Sequence, residues 1–178
     1  PYLNKFSGKC IVIPLGLDLA RFAQPDECRV RALRARFGAP LLLFVGRLRY
    51  YKGLEYLLWA LTGLEAKLVV AGTGPMEAQW RALSRRLELE GRVHFLGQVD
   101  ERQLVALYRA ADLLVLPSSE RSEAFGIVQL EAMASGTPVV STELGTGTSF
   151  VNRHGETGLV VPAGDAGALR EAISALLA

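Results

Sequence analysis

An α/β domain built on a doubly wound parallel sheet is the fold class this sequence predicts, and three observations carry it. Six short apolar runs recur along the chain, each closing on a glycine, a proline or a threonine. The runs are near-continuously apolar rather than alternating, which is the pattern of strands covered on both faces. Between most of them lie stretches with apolar residues at helical spacing, and strands alternating with helices of about 10–15 residues make βαβ units.

The first run is "LLLFVG" (Leu41–Gly46), and the amphipathic stretch "KGLEYLLWAL" (Lys52–Leu61) follows it. "KLVVAG" (Lys67–Gly72) leads to "MEAQWRALSRRLELE" (Met76–Glu90), with Pro75 placed to open that helix. "RVHFLG" (Arg92–Gly97) leads to "ERQLVALYRA" (Glu101–Ala110). "DLLVLP" (Asp112–Pro117) leads to a helix that starts near Gly126, "TPVVST" (Thr137–Thr142) is the fifth strand, and "TGLVVP" (Thr157–Pro162) leads to "AGALREAISALLA" (Ala166–Ala178). The right-handed crossover rule closes these units into one Rossmann-like layer sandwich. No repeat or linker divides the chain, so one domain, 1–178, is expected.

Of the 178 residues, 50% are hydrophobic and 21% charged, and the net charge is +2. The cations are mostly arginines scattered along the chain, with no polybasic or aromatic-interleaved block, so a nucleic-acid partner is not indicated. Cys10 and Cys28 fit no metal or redox spacing and read as ordinary thiols. No apolar run reaches the roughly 18 residues of a membrane span. The chain begins at Pro1 and reads as a piece of a longer protein.

In an open parallel sheet, ligands bind beyond the carboxyl ends of the strands, and three strand exits are informative. The first, "FVGRLRYYKGLEYL", places Gly46 at a tight exit with Arg47 and Lys52 near a helix N-terminus. A guanidinium fork and an ammonium there make a phosphate clamp, although two solvated surface cations would read the same. The second, "VVAGTGPM", carries Gly72 and Gly74 without the third glycine of a dinucleotide fingerprint, so a tight turn accounts for it and NAD is disfavoured.

The third exit, "LPSSERSEAFGIVQLEAMASG", holds two glutamates eight positions apart, Glu123 and Glu131. Helical spacing groups Ile127, Leu130, Glu131 and Ala134 on one face, which puts a carboxylate beside an apolar stripe. An unpaired charge there is costly, so Glu131 is expected at the stripe's edge, facing polar groups. Each glutamate has a structural alternative: Glu131 satisfied at the helix flank, Glu123 complementing the helix dipole. The functional alternative is one ligand over the helix N-terminus, with the amides of Phe125, Gly126, Ile127 and Val128 on an anion and both carboxylates on hydroxyls. A phosphate-bearing polyol, a sugar nucleotide, fits that arrangement. Hydrolysis by the pair is not the default: eight helical positions span about 12 Å at ~1.5 Å each, against about 5–9.5 Å in glycosidases.

"EAFGIVQLEAMASGTPVV" resembles the E-x7-E signature of the family 4 retaining, nucleotide-sugar-dependent glycosyltransferases, the glycosyl transferases group 1. "FVGRLRYYKGLEYLLWAL", "VVAGTGP", "RVHFLGQVDERQLVALYRAADLLVLPS" and "GETGLVVPAGD" are similar to the same family in the same order. "IVIPLGLDLARF" (Ile11–Phe22) resembles the stretch that opens the family's C-terminal domain. The resemblance covers nearly the whole chain. It implies one half of a GT-B glycosyltransferase, the C-terminal domain that binds a nucleotide-sugar donor.

The resemblance also implies roles. Arg47 and Lys52 would neutralise the diphosphate, and backbone groups at Gly46 and from Phe125 to Val128 would hold phosphate and sugar. Glu131 would bind the ribose, Glu123 the transferred sugar, and the loop at Gln98–Val99 would border the base. Transfer would retain anomeric configuration with no cofactor and no bound metal. The donor would be a UDP- or GDP-sugar and the acceptor a glycan or lipid-linked molecule held by an N-terminal domain outside this chain, in surface polysaccharide or glycolipid synthesis. A cytoplasmic enzyme, peripheral to the inner membrane face, is the expectation, and this domain alone would bind donor but transfer little. Two positions depart from the family: Thr146 and Ser149 stand where a glycine and a glutamate are usual, and Val99 offers no side chain to stack on a base. The alternatives are another GT-B activity (a glycogen- or sucrose-type synthase, a sugar-nucleotide epimerase) and a non-catalytic nucleotide-binding module.

Overall fold

The computed structural model describes residues 8, 9, 11 and 13–178; Cys10, Val12 and the first seven residues lie outside them. Six strands, β1 (Leu41–Val45), β2 (Lys67–Ala71), β3 (Val93–Gly97), β4 (Leu113–Leu116), β5 (Val139–Glu143) and β6 (Gly158–Pro162), form one sheet. The strand order is β3-β2-β1-β4-β5-β6 and every pairing between them is parallel. Each of the six apolar runs is a strand, offset by a residue or two at its ends. Seven α-helices accompany them among the described residues: α1 (Glu27–Phe37), α2 (Leu54–Leu61), α3 (Glu77–Arg86), α4 (Glu101–Ala110), α5 (Ile127–Ala134), α6 (Thr148–Val151) and α7 (Ala166–Leu177).

The two faces of the sheet bury separate cores, as the period of two along a strand requires. In β1, Leu42 and Phe44 point toward α2, α3 and α7, into a core with Leu57, Leu61, Trp80, Leu169 and Ile173. Leu41, Leu43 and Val45 point the other way, toward α1, α4 and α5, into a core with Leu33, Phe37, Leu107, Tyr108 and Ala132. All five residues of β1 are buried, which is why the run reads as apolar without alternation. Each such leucine contributes roughly 1.5–3 kcal/mol by leaving water.

Four local readings are corrected. The helix expected from Lys52 begins at Leu54, because Tyr50–Lys52 form a 3-10 turn closed by Gly53 in the left-handed region. Pro75 lies two residues ahead of α3, and the helix ends at Arg86, just before Glu88 takes a positive φ. The helix α1 went unread, because only Val30, Leu33 and Phe37 of its 11 residues are buried, amid four arginines. The segment after β5, to which no helix was assigned, contains the short α6.

The helix termini differ in a way that follows the sheet. The helices after the outermost strands, α4 and α7, are capped by Asp100 and Asp165, each accepting from an amide three residues on. Among the described residues, the helices after the inner strands, α2, α3, α5 and α6, have no side-chain cap. Among the described residues no helix is long and apolar enough to cross a membrane.

Candidate functional site

The strand order reverses between β1 and β4, the place where an open α/β sheet forms its ligand crevice. The exits of those two strands carry Lys52 and Glu123, and the structure joins them. The Lys52 ammonium donates to Glu123 Oε2 at 2.5 Å. Both side chains are about nine-tenths buried, 10% and 9% exposed respectively. Ser118, fully buried, donates its hydroxyl to the same Oε2 at 3.1 Å. Gly46, at φ +148°, lets the lysine tail pass: a Cβ there would stand 3.3 Å from Lys52 Cε and Nζ. One compact cluster thus holds Gly46, Lys52, Ser118 and Glu123.

Arg47 is exposed and, among the described residues, makes no side-chain hydrogen bond or ion pair. It lines a cavity of about 360 Å³ with Gly46, Gly72, Thr73, Gly74, Gln98 and Val99. The glycines there answer to packing. A Cβ on Gly72 would lie 2.0 Å from the Gly46 carbonyl oxygen, and one on Gly74 would lie 2.4 Å from that of Leu48. The expected tight turn is therefore a crossing of two strand exits. A larger hollow, about 690 Å³, lies between the N-terminal ends of α1 and α4. Two of its lining charges, Arg21 and Glu101, pair at 2.6 Å, and its Asp100 lies 3.9 Å from Arg29.

On the β4 side, Gly126 starts α5 from the left-handed region, φ +70°. The amides of Phe125, Gly126, Ile127 and Val128 donate to no carbonyl or side chain among the described residues. Four free N–H groups at a helix start favour an anion. The expected apolar face of this helix is corrected: Gln129 and Ala132 are its buried residues, while Ile127 is 41% exposed. Glu131 is half-buried, and its Oε2 accepts from the Tyr108 hydroxyl at 2.7 Å. Burial first, then the neighbouring Glu131 charge and hydrogen bond, push the Tyr108 phenol's pKa far up. Glu131 does not line the 360 Å³ cavity.

The departing loop after β5 is fastened to the turn that bears Glu123. Thr146 Oγ1 donates to the Glu123 carbonyl at 2.9 Å, and the Gly147 amide to the Ala124 carbonyl at 2.8 Å. The Gln129 amide reaches the carbonyls of Phe125 and Thr148. Ser149 turns away and donates to Glu143 at 2.7 Å. Sequence reasoning missed Ser118, Tyr108, Gln129 and the anchoring role of Thr146. Ser118 stands directly after a strand's closing proline, a position that could have flagged it. Tyr108 gives no signal beyond a buried helical position.

The glycosyl transferases group 1 family matches residues 30–178. A D-rhamnosyltransferase, WbpZ, of Pseudomonas aeruginosa is 46% identical over 171 residues, which is 96% of this chain and 45% of that protein. The O-antigen chain mannosyltransferase C of Escherichia coli is 40% identical over 98% of this chain and 46% of its own length. This chain therefore spans about half the length of the curated relatives it matches. Among solved structures, Anabaena HepE in complex with UDP superimposes with a TM-score of 0.83 at 27% identity, covering 93% of this chain and 47% of that one. The fold is that of one half of a GT-B glycosyltransferase, and with the family covering residues 30–178, the chain belongs to the glycosyl transferases group 1 family.

Proposed function

We propose that residues 1–178 form the donor-binding half of a retaining glycosyltransferase that moves a hexosyl unit from a UDP- or GDP-sugar onto a glycan or lipid-linked acceptor. The observation that carries the reading is the Lys52–Glu123 pair at the strand-order reversal, beside the free amides that open α5. An ammonium has three donors and Glu123 takes one, so Lys52 can meet a phosphate oxygen without leaving the glutamate. Arg47, unpaired at the rim of the neighbouring cavity, adds a second cation for the diphosphate. Those two charges would stabilise the nucleoside diphosphate as its bond to the sugar breaks. The α5 amides would hold the phosphates. Glu123 would accept from hydroxyls of the transferred sugar, Glu131 from the ribose, and the Gln98–Val99 loop would border the base. The relatives' activities, rhamnosyl and mannosyl transfer, the latter onto an O-antigen chain, support surface polysaccharide synthesis as the setting.

Calorimetric titration of the chain with UDP, GDP and a panel of their sugars tests the reading. Micromolar binding of one base series, tightened by one sugar, is the expected result. Binding of neither base by the folded chain would sink it in favour of a non-catalytic module. In the full-length protein, an inverted anomeric product seen by NMR would overturn retention.

A further inference from the structure

We infer that Tyr108, backed by Phe22, is a positioning residue that sets how strongly the site prefers a ribonucleotide over a deoxyribonucleotide. The inference rests on the reading of Glu131 as the ribose ligand and goes beyond it. Tyr108 lies in the third turn of α4 and is fully buried. A buried phenol needs an acceptor, and a backbone carbonyl would serve. Here the acceptor is Oε2 of a carboxylate on another helix, itself half-buried. Glu131 Oε1 makes no hydrogen bond among the described residues and is not among the buried unpartnered atoms, so it remains open to a ligand. With one oxygen tied, the carboxylate keeps a single orientation and the other oxygen is aimed before any ligand arrives.

The tyrosine is itself held at two further points. Its backbone carbonyl accepts from Thr137 Oγ1 at 2.6 Å. Its ring meets Phe22 edge-on, with centroids 6.4 Å apart. Phe22 closes the 3-10 turn Leu19–Phe22, which also packs against α5. The hydroxyl stays protonated because burial and the adjacent carboxylate both oppose its ionisation, so it donates at every working pH. A diol accepted by a pre-aimed carboxylate gains the full charge-assisted bond, whereas a freely rotating carboxylate loses part of it to ordering entropy.

The experiment compares UDP and GDP with their 2′-deoxy and 3′-deoxy counterparts, by calorimetry on wild type, Tyr108→Phe and Phe22→Leu. Wild type is expected to favour the ribonucleotide of the preferred base roughly tenfold or more over the deoxy form whose hydroxyl Glu131 contacts. In Tyr108→Phe that preference should fall to within about threefold, with affinity for the deoxynucleotide unchanged. A purely structural role would instead lower the unfolding midpoint and weaken both nucleotides alike, and that result overturns the inference. Should Tyr108→Phe fail to fold, Phe22→Leu keeps the hydroxyl and removes its backing: a reduced ribose preference supports the inference and an undiminished one overturns it. A wild-type chain that binds nucleotide without distinguishing ribo from deoxy refutes the role of Glu131 itself. Wild-type discrimination that persists in both folded variants refutes only the role of Tyr108.

Discussion

Lys52 and Glu123, 71 positions apart in sequence, meet at 2.5 Å with roughly a tenth of each side chain exposed. The two exits that carry them belong to the neighbouring strands where the sheet changes direction, so fold topology alone brings an ammonium to a carboxylate. Such a pair costs a great deal to break from one side, because the remaining charge stays buried. Lys52→Ala is expected to destabilise the chain by about 3–5 kcal/mol in urea unfolding. The double variant Lys52→Met with Glu123→Gln should regain most of that stability and still bind no sugar nucleotide. Full recovery of binding in the double variant would show that the pair is scaffolding.

Thr146 holds the backbone of Glu123 through a single hydroxyl bond. Thr146→Val keeps the shape and removes the donor. The expected effect is a loss of about 0.5–1.5 kcal/mol from the extra affinity of a sugar nucleotide over its bare nucleotide. Thr146→Ser should restore it. Equal weakening of nucleotide and sugar nucleotide in the valine variant would contradict the assignment.

Gly72 admits no side chain: its φ is +134° and an added Cβ would lie 2.0 Å from the Gly46 oxygen. Gly72→Ala should cost at least about 2 kcal/mol from backbone strain and overpacking together. Because the displaced backbone is that of Gly46 and Arg47, nucleotide affinity should fall with stability. Thermal unfolding and titration of the same preparation check both, and a variant that loses neither contradicts the close approach.

His94 on β3 resists protonation. Its pKa is lowered from 6.5, by burial first and then by the charges of Arg36 and Lys67, while the Phe37 ring lies 5.0 Å away. The unfolded chain takes up the proton near the ordinary value and the folded chain does not. The stability this contributes is therefore present above about pH 6.5 and is lost as pH falls through the lowered folded value. Unfolding free energy measured from pH 7.5 down to 5 should show that slope, and His94→Gln should flatten it.

Much of the sheet was legible because burial on both faces writes itself as unbroken apolar runs, β1 being the clearest. The α1 helix was not, because three buried side chains among four arginines leave the helical period faint. Arg47, Lys52, Glu123 and Glu131 could be picked out as chemistry-bearing residues at strand exits. What the sequence could not convey was their pairing. Contact between Lys52 and Glu123, or between Tyr108 and Glu131, depends on which strands are neighbours and how far a side chain reaches, and neither leaves a local trace. The misplaced face of α5 has a related cause. Gln129 is fully buried although polar, its amide spent on two carbonyls, so hydrophobicity pointed to the wrong stripe.

The division of helix caps across the sheet bears on how quickly the site can respond. Where an aspartate already occupies a helix start, as at α4 and α7, an arriving anion must compete with a tethered carboxylate present at very high local concentration. At α5 no side chain among the described residues caps the helix start. A phosphate held at that terminus, as proposed above, would exchange without the swing of a capping side chain, and a spent nucleotide would leave without a residue having to return to its place.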